Sequence, residues 1–208
     1  MNKQPKEWVL ASSNLGKLNE FQALFRPLQI HLRGQTELGV QACEEPYFTF
    51  IENALLKARH ASAHTQCPAL ADDSGLCVPA LNGAPGVYSA RFSQLHGGPS
   101  GDSHNNDLLI QKLTSISDWQ AYYVCALAWV EHERDPTPIV VQRFWWGQVQ
   151  PIAKGNHGFG YDPHFYLPQF GCTAAQLPSE KKNQVSHRAL AMQALMHELT
   201  GRLQPACG

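Results

Sequence analysis

The sequence predicts a mixed α/β fold, and three observations support this prediction. Residues 8–11 form a short apolar run, and the apolar residues that follow Ser12 recur at helical spacing. Residues 121–130 and 139–146 are rich in strand-forming side chains and flank a connection with prolines and aspartates, which favours an antiparallel hairpin. With 43% hydrophobic and 16% charged residues in 208, the chain can bury one sizeable core.

The first part of the chain predicts two strand–helix pairs and a third strand. The strand at 8–11 leads through a polar turn into a helix that ends near Pro27. A second strand falls within 30–40, and residues 49–52 match a capping box that starts a second, longer helix. That helix returns the chain to the apolar run 68–71, which we expect to be a buried strand.

The second part of the chain adds helices around the predicted hairpin. A polar, glycine-rich loop follows Arg91 and leads to a helix near 107–113. A loop with three glycines at 155–162 comes after the hairpin. The apolar spacing places the last helix at about 186–199, with Gly201 as its stop. No internal repeat or low-complexity linker interrupts this order.

The overall charge is close to neutral. Sixteen basic and seventeen acidic residues give a net charge of -1, which argues against a binder of nucleic acid polymers or of membrane surfaces. No apolar run approaches the roughly 18 residues of a membrane span, and the N-terminus lacks the apolar region of a signal peptide. We expect a cytoplasmic protein whose six cysteines are reduced and mostly buried.

Two adjacent carboxylates, Asp72 and Asp73, follow the apolar run 68–71. Ligands of open α/β sheets bind beyond the carboxyl ends of strands, and Mg²⁺ is typically held by one or two carboxylates plus substrate phosphates. A further carboxylate can orient or deprotonate a water that attacks phosphorus. Glu44 and Glu45 form a second acidic pair that can complete such a site. A solvated turn and an exposed charged corner are the alternative interpretations of the two pairs.

The polar turn at 12–17 lies between a predicted strand and a predicted helix. Such a turn presents unpaired backbone N–H groups and the positive end of the helix dipole, which suit an anion such as a triphosphate. Its lysine can reach the same anion as a point charge. The turn lacks the Walker pattern, and a simple helix cap is the alternative. Its residues are Ser12, Ser13, Asn14, Leu15, Gly16 and Lys17.

The stretch GFGYDP combines glycines, two aromatic faces and a carboxylate. Phe159 and Tyr161 can stack on a flat base, and Asp162 offers an acceptor; a tight turn whose aromatics fill the core is the alternative. Nearer the C-terminus, cations and donors gather before and at a predicted helix start. They suit phosphate groups and the 6-oxo group of a purine, although a capped helix with solvated charges is the alternative. These residues are Lys181, Lys182, Ser186, His187 and Arg188.

Taken in order, these motifs resemble those of the inosine triphosphate pyrophosphatase family, the XTP/dITP diphosphatases. The resemblance covers nearly the whole chain and rests on SSNLGKLNEF, TFIENALLKARHA, ADDSGL, NGAPGVYSARFS, GFGYDPHF and EKKNQVSHRA. It implies a single domain over residues 1–208, with two lobes that share one mixed sheet flanked by helices, a nucleotide cleft between the lobes, and usually a homodimer. The common Thr-Gly-Asn opening is here Ser12-Ser13-Asn14, which keeps the hydroxyl.

The resemblance also implies an activity: Mg²⁺-dependent hydrolysis of ITP, dITP or XTP to the monophosphate and pyrophosphate, which cleanses the nucleotide pool. It assigns Asp73 to catalysis and to the metal, with Glu45, favoured over Glu44, or Asp72 as further ligands. A pyrophosphatase for other modified nucleotides and a non-catalytic nucleotide sensor are the alternatives. The substrate-binding positions carried over are Ser12, Ser13, Asn14, Leu15, Gly16, Lys17, Ser74, Phe159, Gly160, Tyr161, Asp162, Lys182, His187 and Arg188.

Overall fold

A computed structural model of the protein describes residues 6–13, 15–26 and 29–203. Its sheet has seven strands in the order β2-β1-β3-β4-β5-β6-β7. Strand β1 pairs in parallel with β2 and β3, whereas β6 pairs antiparallel with β5 and β7. The predicted fold class, a mixed sheet with helices, is confirmed. The strands are β1 (Lys6–Leu10), β2 (Ile30–Gly34), β3 (Ala69–Cys77), β4 (Gln120–Val130), β5 (Ile139–Val149), β6 (Phe165–Leu167) and β7 (Cys172–Thr173).

Helices connect most of these strands. Within the described ranges, none is long and apolar enough to cross a membrane. Short 3-10 segments cover Gln35–Leu38, Pro79–Leu81, Gly86–Arg91, Asp162–His164 and Ala174–Gln176. The α-helices are α1 (Leu15–Phe25), α2 (Phe50–Thr65), α3 (Phe92–Leu95), α4 (Asp102–Leu113), α5 (Ser179–Val185) and α6 (His187–Leu203).

One compact unit combines Met1–Asp73, Ala126–Gln142 and Ala194–Gly208. Trp8 of β1 lies in the core of this unit, where its ring packs against two other aromatic rings. The ring centroids lie 5.3 Å from that of Phe25 and 5.2 Å from that of Trp129. Aromatic pairs at this separation in edge or tilted geometry are favourable beyond the area that they bury.

Helix α2 of the same unit begins as the capping motif predicts, with one difference. Thr49 Oγ1 accepts a hydrogen bond from the backbone N–H of Glu52 at 3.3 Å. The carboxylate of Glu52 accepts from the Thr49 hydroxyl at 2.6 Å rather than from its backbone N–H. The cap fixes where the helix starts, and its alanine face, with Ala54 and Ala58 fully buried, packs into the core.

The other compact unit combines Ser74–Cys125 and Arg143–Gln193. Its core contains Leu76, Phe92, Leu109 and Phe165, among others. From the sequence alone, the adjacent tryptophans of β5 suit either a core or an interface. The structure separates them: Trp145 is 4% exposed and Trp146 is 55% exposed. Successive side chains of a strand point to opposite faces, so one ring enters the core and the next faces solvent.

The bounds of β3 and α4 differ from the sequence prediction. Strand β3 does not end before the carboxylates but continues to Cys77, so Asp72 and Asp73 lie inside a strand that is buried along most of its length. Helix α4 begins at Asp102, several residues before the predicted start. Apolar periodicity finds the buried part of a helix, and the first turn of α4 is mostly polar and exposed.

The C-terminal helical region also differs. The predicted single helix is preceded by α5, and Ser186 separates α5 from α6 in an extended conformation, with φ -73° and ψ 161°. The prediction that Gly201 ends the last helix was wrong, because α6 continues to Leu203. An isolated glycine lowers helix stability without forcing an end. Asn14 and Pro27, which the sequence analysis used as helix signals, lie outside the described residues.

Candidate active site

The sheet topology marks one place for a ligand in the first unit. The order β2-β1-β3 means that the chain leaves β1 towards one side through α1 and reaches β3 on the other side through α2. Right-handed crossovers then place α1 and α2 on opposite faces of the sheet. Such a switch point opens a crevice at the carboxyl ends of the strands. Leu10 lies opposite Leu70 in the register, so the turn after β1 runs beside the carboxylates of β3.

The two carboxylates of β3 meet different lysines. Asp72 is 2% exposed, and its Oδ2 lies 3.2 Å from Nζ of Lys17 in the first turns of α1. Asp73 is 7% exposed, and its Oδ1 accepts a hydrogen bond from Nζ of Lys57 on α2 at 2.9 Å. Successive side chains of a strand point to opposite faces of the sheet, and α1 and α2 lie on opposite faces. Each of the two neighbouring aspartates therefore pairs with a lysine from the helix on its own side. The structure therefore places one ion pair beside the polar turn at 12–17 and the other on α2.

Lys57 joins two carboxylates. Its Nζ donates to Glu45 Oε1 at 2.9 Å as well as to Asp73. Asn53, one turn earlier on α2, lies with its Nδ2 3.4 Å from Asp73 Oδ2. The Asn53 amide is fixed in place because it also bonds the backbone of Tyr47 through both its oxygen and its nitrogen. Glu45 and Asp73 are thus held on one cation, with a fixed amide beside the second oxygen of Asp73.

Burial controls the electrostatics of this cluster. It raises the pKa of Asp73, and the charge of Lys57 offsets only part of that rise, while Glu45 and Asp72 add to it. For Lys57, burial lowers the pKa, but Asp73 and Glu45 together raise it above its ordinary value. The lysine therefore stays charged, and Asp73 is a stronger proton acceptor than an exposed aspartate.

A cavity of about 220 Å³ adjoins this cluster. The residues of the polar turn and the charged side chains both line it, so the structure brings several predicted site residues to one place. Asn14 is outside the described residues, as is the side chain of Leu15. The lining includes Ser12, Ser13, Lys17, Glu45, Lys57 and Asp72.

The carboxylate set fits a magnesium ion that also binds phosphate. Glu45 and Asp73 already share one cationic atom, and Mg²⁺ commonly takes one or two carboxylates with substrate phosphates. Glu44 is exposed while Glu45 is half-buried at the cluster, so the structure favours Glu45. In the described part of the chain, no group of three or more His, Cys, Asp or Glu side chains can hold a metal ion without further ligands. Substrate oxygens and water would complete the coordination.

A second cluster lies in the other unit, around Asp162. This carboxylate is buried, accepts the backbone N–H of Phe159 at 3.0 Å and forms a close ion pair with Lys182. Gly158 has a φ of 85°, and a Cβ there would collide with the Asp162 carboxylate and the Lys182 ammonium group. Glycine is therefore required for the loop to close over this ion pair.

The aromatic residues of this loop have different roles. Phe159 is 49% exposed, and two cations lie over its ring: Arg188 Cζ at 4.8 Å and Lys182 Nζ at 5.9 Å from the centroid. The prediction that Tyr161 presents a face for stacking was wrong, since Tyr161 is 3% exposed and its hydroxyl donates to Ser89 O at 2.8 Å. Burial raises the pKa of that hydroxyl. Phe159 alone of the two can stack on a base.

The helix start after α5 holds a buried histidine. His187 stacks on Tyr123, with centroids 4.6 Å apart and an interplanar angle of 6°. Burial, with a smaller contribution from Asp162, raises the pKa of Tyr123 well above its ordinary value, so this phenol stays neutral. Ser186 Oγ accepts the N–H of Ala189 at 3.3 Å and so helps to cap α6. The buried rings therefore fix where His187 and its neighbour Arg188 lie.

Not all predicted residues join this second cluster. Lys181 Nζ lies 5.6 Å from the centroid of the Phe170 ring. Gly160 is held by its backbone, because its N–H donates to Asp102 Oδ2 at 2.6 Å and its carbonyl accepts from Asn106 Nδ2 at 2.9 Å. Ser74 directly follows Asp73 within β3 and is half-buried. The two α4 residues that hold Gly160 were not among the predicted site residues.

Lys57 and Asn53 were also missed, although a signal was present. They occupy positions i and i+4 next to the apolar stripe of α2. Polar residues at helical spacing beside a buried stripe face inward and need partners. Asp73 supplies that partner for both.

The parallel β2-β1-β3 arrangement, with a carboxylate–lysine cluster at its switch point, is that of an α/β protein with a crevice that can accommodate an anionic ligand beside a cation. Residues 8–198 match the model of the Ham1 family. The chain belongs to the Ham1 family, and the resemblance seen in the six motifs is confirmed.

Relatives match over nearly their full length. The dITP/XTP pyrophosphatase of Bordetella pertussis is 57% identical over 96% of this chain and 93% of its own. The protein of the same name from Burkholderia pseudomallei is 54% identical over 92% of each chain. That from Neisseria meningitidis is 50% identical over 96% of this chain and 99% of its own. The structure is similar to that of a HAM1 protein from Coxiella burnetii, with a TM-score of 0.89, 44% identity, and 94% and 99% coverage of the two chains. The structure of the Ham1 protein of Staphylococcus aureus is also similar, with a TM-score of 0.85 and 39% identity, and the match covers 95% of this chain and 100% of that one.

Proposed function

We propose that this protein hydrolyses non-standard purine nucleoside triphosphates, namely ITP, dITP and XTP, to the monophosphate and pyrophosphate. The relatives named dITP/XTP pyrophosphatase support the substrate class. The observation that carries the chemistry is the buried Asp73, held by Lys57 beside an anion-binding turn. This cluster combines a proton acceptor, a cation site and phosphate-binding donors.

Magnesium is the proposed cofactor. Glu45 and Asp73 would hold it, with Asp72 as a further candidate, and the bound ion would offset charge on the phosphate oxygens. Lys57 keeps the two carboxylates together and remains charged beside them. The chain thus provides a centre whose acidic groups are gathered before a substrate arrives.

Asp73 is the proposed acceptor of the proton from the attacking water. Its Oδ1 accepts a hydrogen bond from the Lys57 ammonium group at 2.9 Å, whereas its Oδ2 accepts a longer one from the Asn53 amide at 3.4 Å. Oδ2 is the more weakly held oxygen and is the atom that would take the proton. The water attacks the α-phosphorus in line with the leaving group. The bond between the α-phosphorus and the oxygen that bridges to the β-phosphorus breaks, and pyrophosphate leaves. The polar turn at 12–17, with Lys17, would bind the departing pyrophosphate, and Lys182 is a second candidate cation.

Base recognition is assigned to the second cluster. The exposed face of Phe159 suits stacking on a purine. A donor from His187, Arg188 or a nearby backbone N–H would pair with the 6-oxo group of hypoxanthine or xanthine. Adenine carries an amino group there, so a donor would face a donor, and an unpaired buried donor discriminates strongly. This predicts that ITP and XTP are hydrolysed well ahead of ATP.

A triphosphate panel tests the proposal. Purified protein is incubated with ITP, dITP, XTP, ATP and modified pyrimidine triphosphates, with and without Mg²⁺, and pyrophosphate release is measured. Preference for the 6-oxo purines supports the proposal. Preference for a modified pyrimidine favours the related pyrophosphatase, and binding without Mg²⁺-dependent turnover favours the nucleotide sensor. Equal turnover of ATP and ITP would refute base selection through the 6-oxo group.

We further propose that residues 1–208 act as one domain and that the protein is a cytoplasmic homodimer. Strands β3, β4 and β5 contribute residues to both compact units, so neither unit has a complete sheet alone. Phe144 and Trp146 are large exposed apolar side chains of β5, and both pack against Tyr122. Such a patch suits a protein interface. Light scattering of the wild type and of Trp146→Glu tests the dimer, and one cooperative unfolding transition tests the single domain.

A further inference from the structure

Two histidines lie one turn apart on α2. His60 and His64 are at positions i and i+4, so their side chains share one helix face. Their ring centroids are 4.3 Å apart, with the planes inclined by 44°. His64 is exposed and His60 is half-buried, so solvent reaches the pair. Neither ring takes part in the carboxylate–lysine cluster.

A backbone carbonyl orients each ring. Nε2 of His60 lies 3.0 Å from Gln41 O, and Nδ1 of His64 lies 2.8 Å from His60 O. A carbonyl oxygen only accepts hydrogen bonds, so the ring nitrogen that faces it must donate. The hydrogen-bond partners therefore assign the neutral tautomers. His60 Nδ1 and His64 Nε2 are left with lone pairs.

These are the properties of a helix-borne metal chelate. Two histidines at i and i+4 on one face are the spacing with which a helix binds zinc, and a ligating histidine usually donates its other N–H to a carbonyl or carboxylate. We propose that His60 Nδ1 and His64 Nε2 form a surface site for a divalent transition-metal ion such as Zn²⁺, Ni²⁺ or Cu²⁺.

The site would differ from the magnesium centre in its chemistry. Imidazole nitrogen suits zinc, nickel and copper, whereas magnesium prefers oxygen ligands. No third His, Cys, Asp or Glu joins the two rings among the residues that the structure describes. Water must complete the coordination, so the ion would be open to solvent and exchangeable.

Calorimetric titration of the full chain with Zn²⁺ or Ni²⁺, without substrate, tests the site. The wild type should bind one ion at this pair. His64→Gln removes a ligand and should weaken that binding by about tenfold or more, since loss of even an outer-shell partner of a metal ligand has an effect of that size. His104→Gln is the matched control. His104 is exposed on α4, and its Nδ1 lies 3.1 Å from Ser100 O, but no histidine stands one turn from it. The control should bind like the wild type.

Nitrogen NMR of the imidazole rings identifies the ligand atoms. The metal should shift His60 Nδ1 and His64 Nε2 while the protonated nitrogens keep their N–H signals. Unchanged affinity in His64→Gln, as expected if the half-buried thiols of Cys43, Cys67 or Cys172 bind the ion instead, would overturn the proposal. Ligation through the other two nitrogens, or no saturable binding by the wild type, would overturn it as well.

Discussion

Lys57 donates a hydrogen bond to Asp73 across 2.9 Å between Nζ and Oδ1, and the two side chains are only 13% and 10% exposed. Burial raises the pKa of Asp73 even with this partner, whereas the carboxylates raise that of Lys57 against the effect of burial. The lysine is therefore stabilised as a cation, and the aspartate remains the weaker acid. Substitution of Asp73 should therefore affect mainly turnover, and substitution of Lys57 should affect mainly stability.

Replacing Asp73 with Asn should remove turnover while the fold is kept. Loss of a general base costs roughly 10²–10⁴-fold in rate. Because the folded-state pKa of Asp73 is raised, its contribution to stability is present below the unfolded pKa and is lost as pH rises through the folded pKa. At neutral pH its charge is therefore a cost, so Asp73→Asn should unfold at a temperature no lower than the wild type.

Pyrophosphate release and thermal unfolding of Asp73→Asn check these two outcomes. Asp118→Asn is the control, because Asp118 is exposed and accepts the backbone N–H of Gln120 at 2.9 Å. That variant should keep full activity. Near-normal hydrolysis by Asp73→Asn would contradict the assignment of the base.

Replacing Lys57 with Met should destabilise the fold. Removing one partner of a buried ion pair leaves uncompensated charge, at a cost of about 3 kcal/mol. Here Glu45 and Asp73 would face each other without their shared cation. Urea unfolding should show the loss, and millimolar Mg²⁺ should restore part of it if these carboxylates bind the ion. No restoration would argue against Glu45 and Asp73 as ligands.

The pH dependence of kcat/KM should report the ionisation of Asp73. If the ionised form is required, activity should fall as pH drops through a pKa above the ordinary aspartate value, because burial raises the pKa of Asp73. Lys57 partly offsets that rise, so Lys57→Met should move the acidic limb of the profile to higher pH. An acidic limb that stays in place would mean that another group controls it.

Replacing Phe159 with Ala should weaken nucleotide binding. Stacking of a base on an aromatic ring is worth about 1–3 kcal/mol, which would appear mainly as a higher KM. Tyr161→Phe is the matched control, since Tyr161 is buried and donates to Ser89 O. The control should lose about 1 kcal/mol of stability and keep its KM. Equal effects of the two variants on KM would contradict the stacking role of Phe159.

Asp135 offers a test of stability away from the site. Burial alone would raise its pKa, but hydrogen bonds from Glu131 and Thr137 outweigh this and lower it. A lowered pKa contributes stability that is present above the unfolded pKa and is lost as pH falls through the folded pKa. Asp135→Asn should therefore cost about 1–3 kcal/mol near neutral pH, and less in acid, with kcat unchanged. A cost that grows in acid would contradict the hydrogen-bond argument.

The sequence predicts most of the fold because the periodicity of buried positions is local. The α2 cap and the strands of the hairpin follow from short patterns such as Thr49 with Glu52. The end of β3 could not be predicted, because an aspartate in a buried strand contradicts local propensity. The lysines of two distant helices, together with the Asn53 amide beside Asp73, stabilise the two aspartates there.

The site was predictable by residue type more than by role. Asp73 follows the apolar run 68–71 and Lys17 belongs to the polar turn after β1, and their chemistry can be read from these positions in the sequence. The sequence shows that Tyr161 is aromatic but not whether its ring is exposed, so a stacking role was predicted. Exposure depends on packing against distant parts of the chain, and here the hydroxyl donates to the backbone of Ser89. Lys57 was passed over because a lysine on an amphipathic helix usually faces solvent.

The alternation along β3 constrains how this chain can vary. Asp72 reaches Lys17 on one side of the sheet and Asp73 reaches Lys57 on the other. Deleting a single residue between Ala69 and Asp72 would turn every later side chain of the strand to the opposite side. Each aspartate would then face the other helix, with its carboxylate out of reach of the lysine that it meets now. Insertions and deletions should therefore be tolerated in the loop before β3, whereas those within β3 should abolish activity.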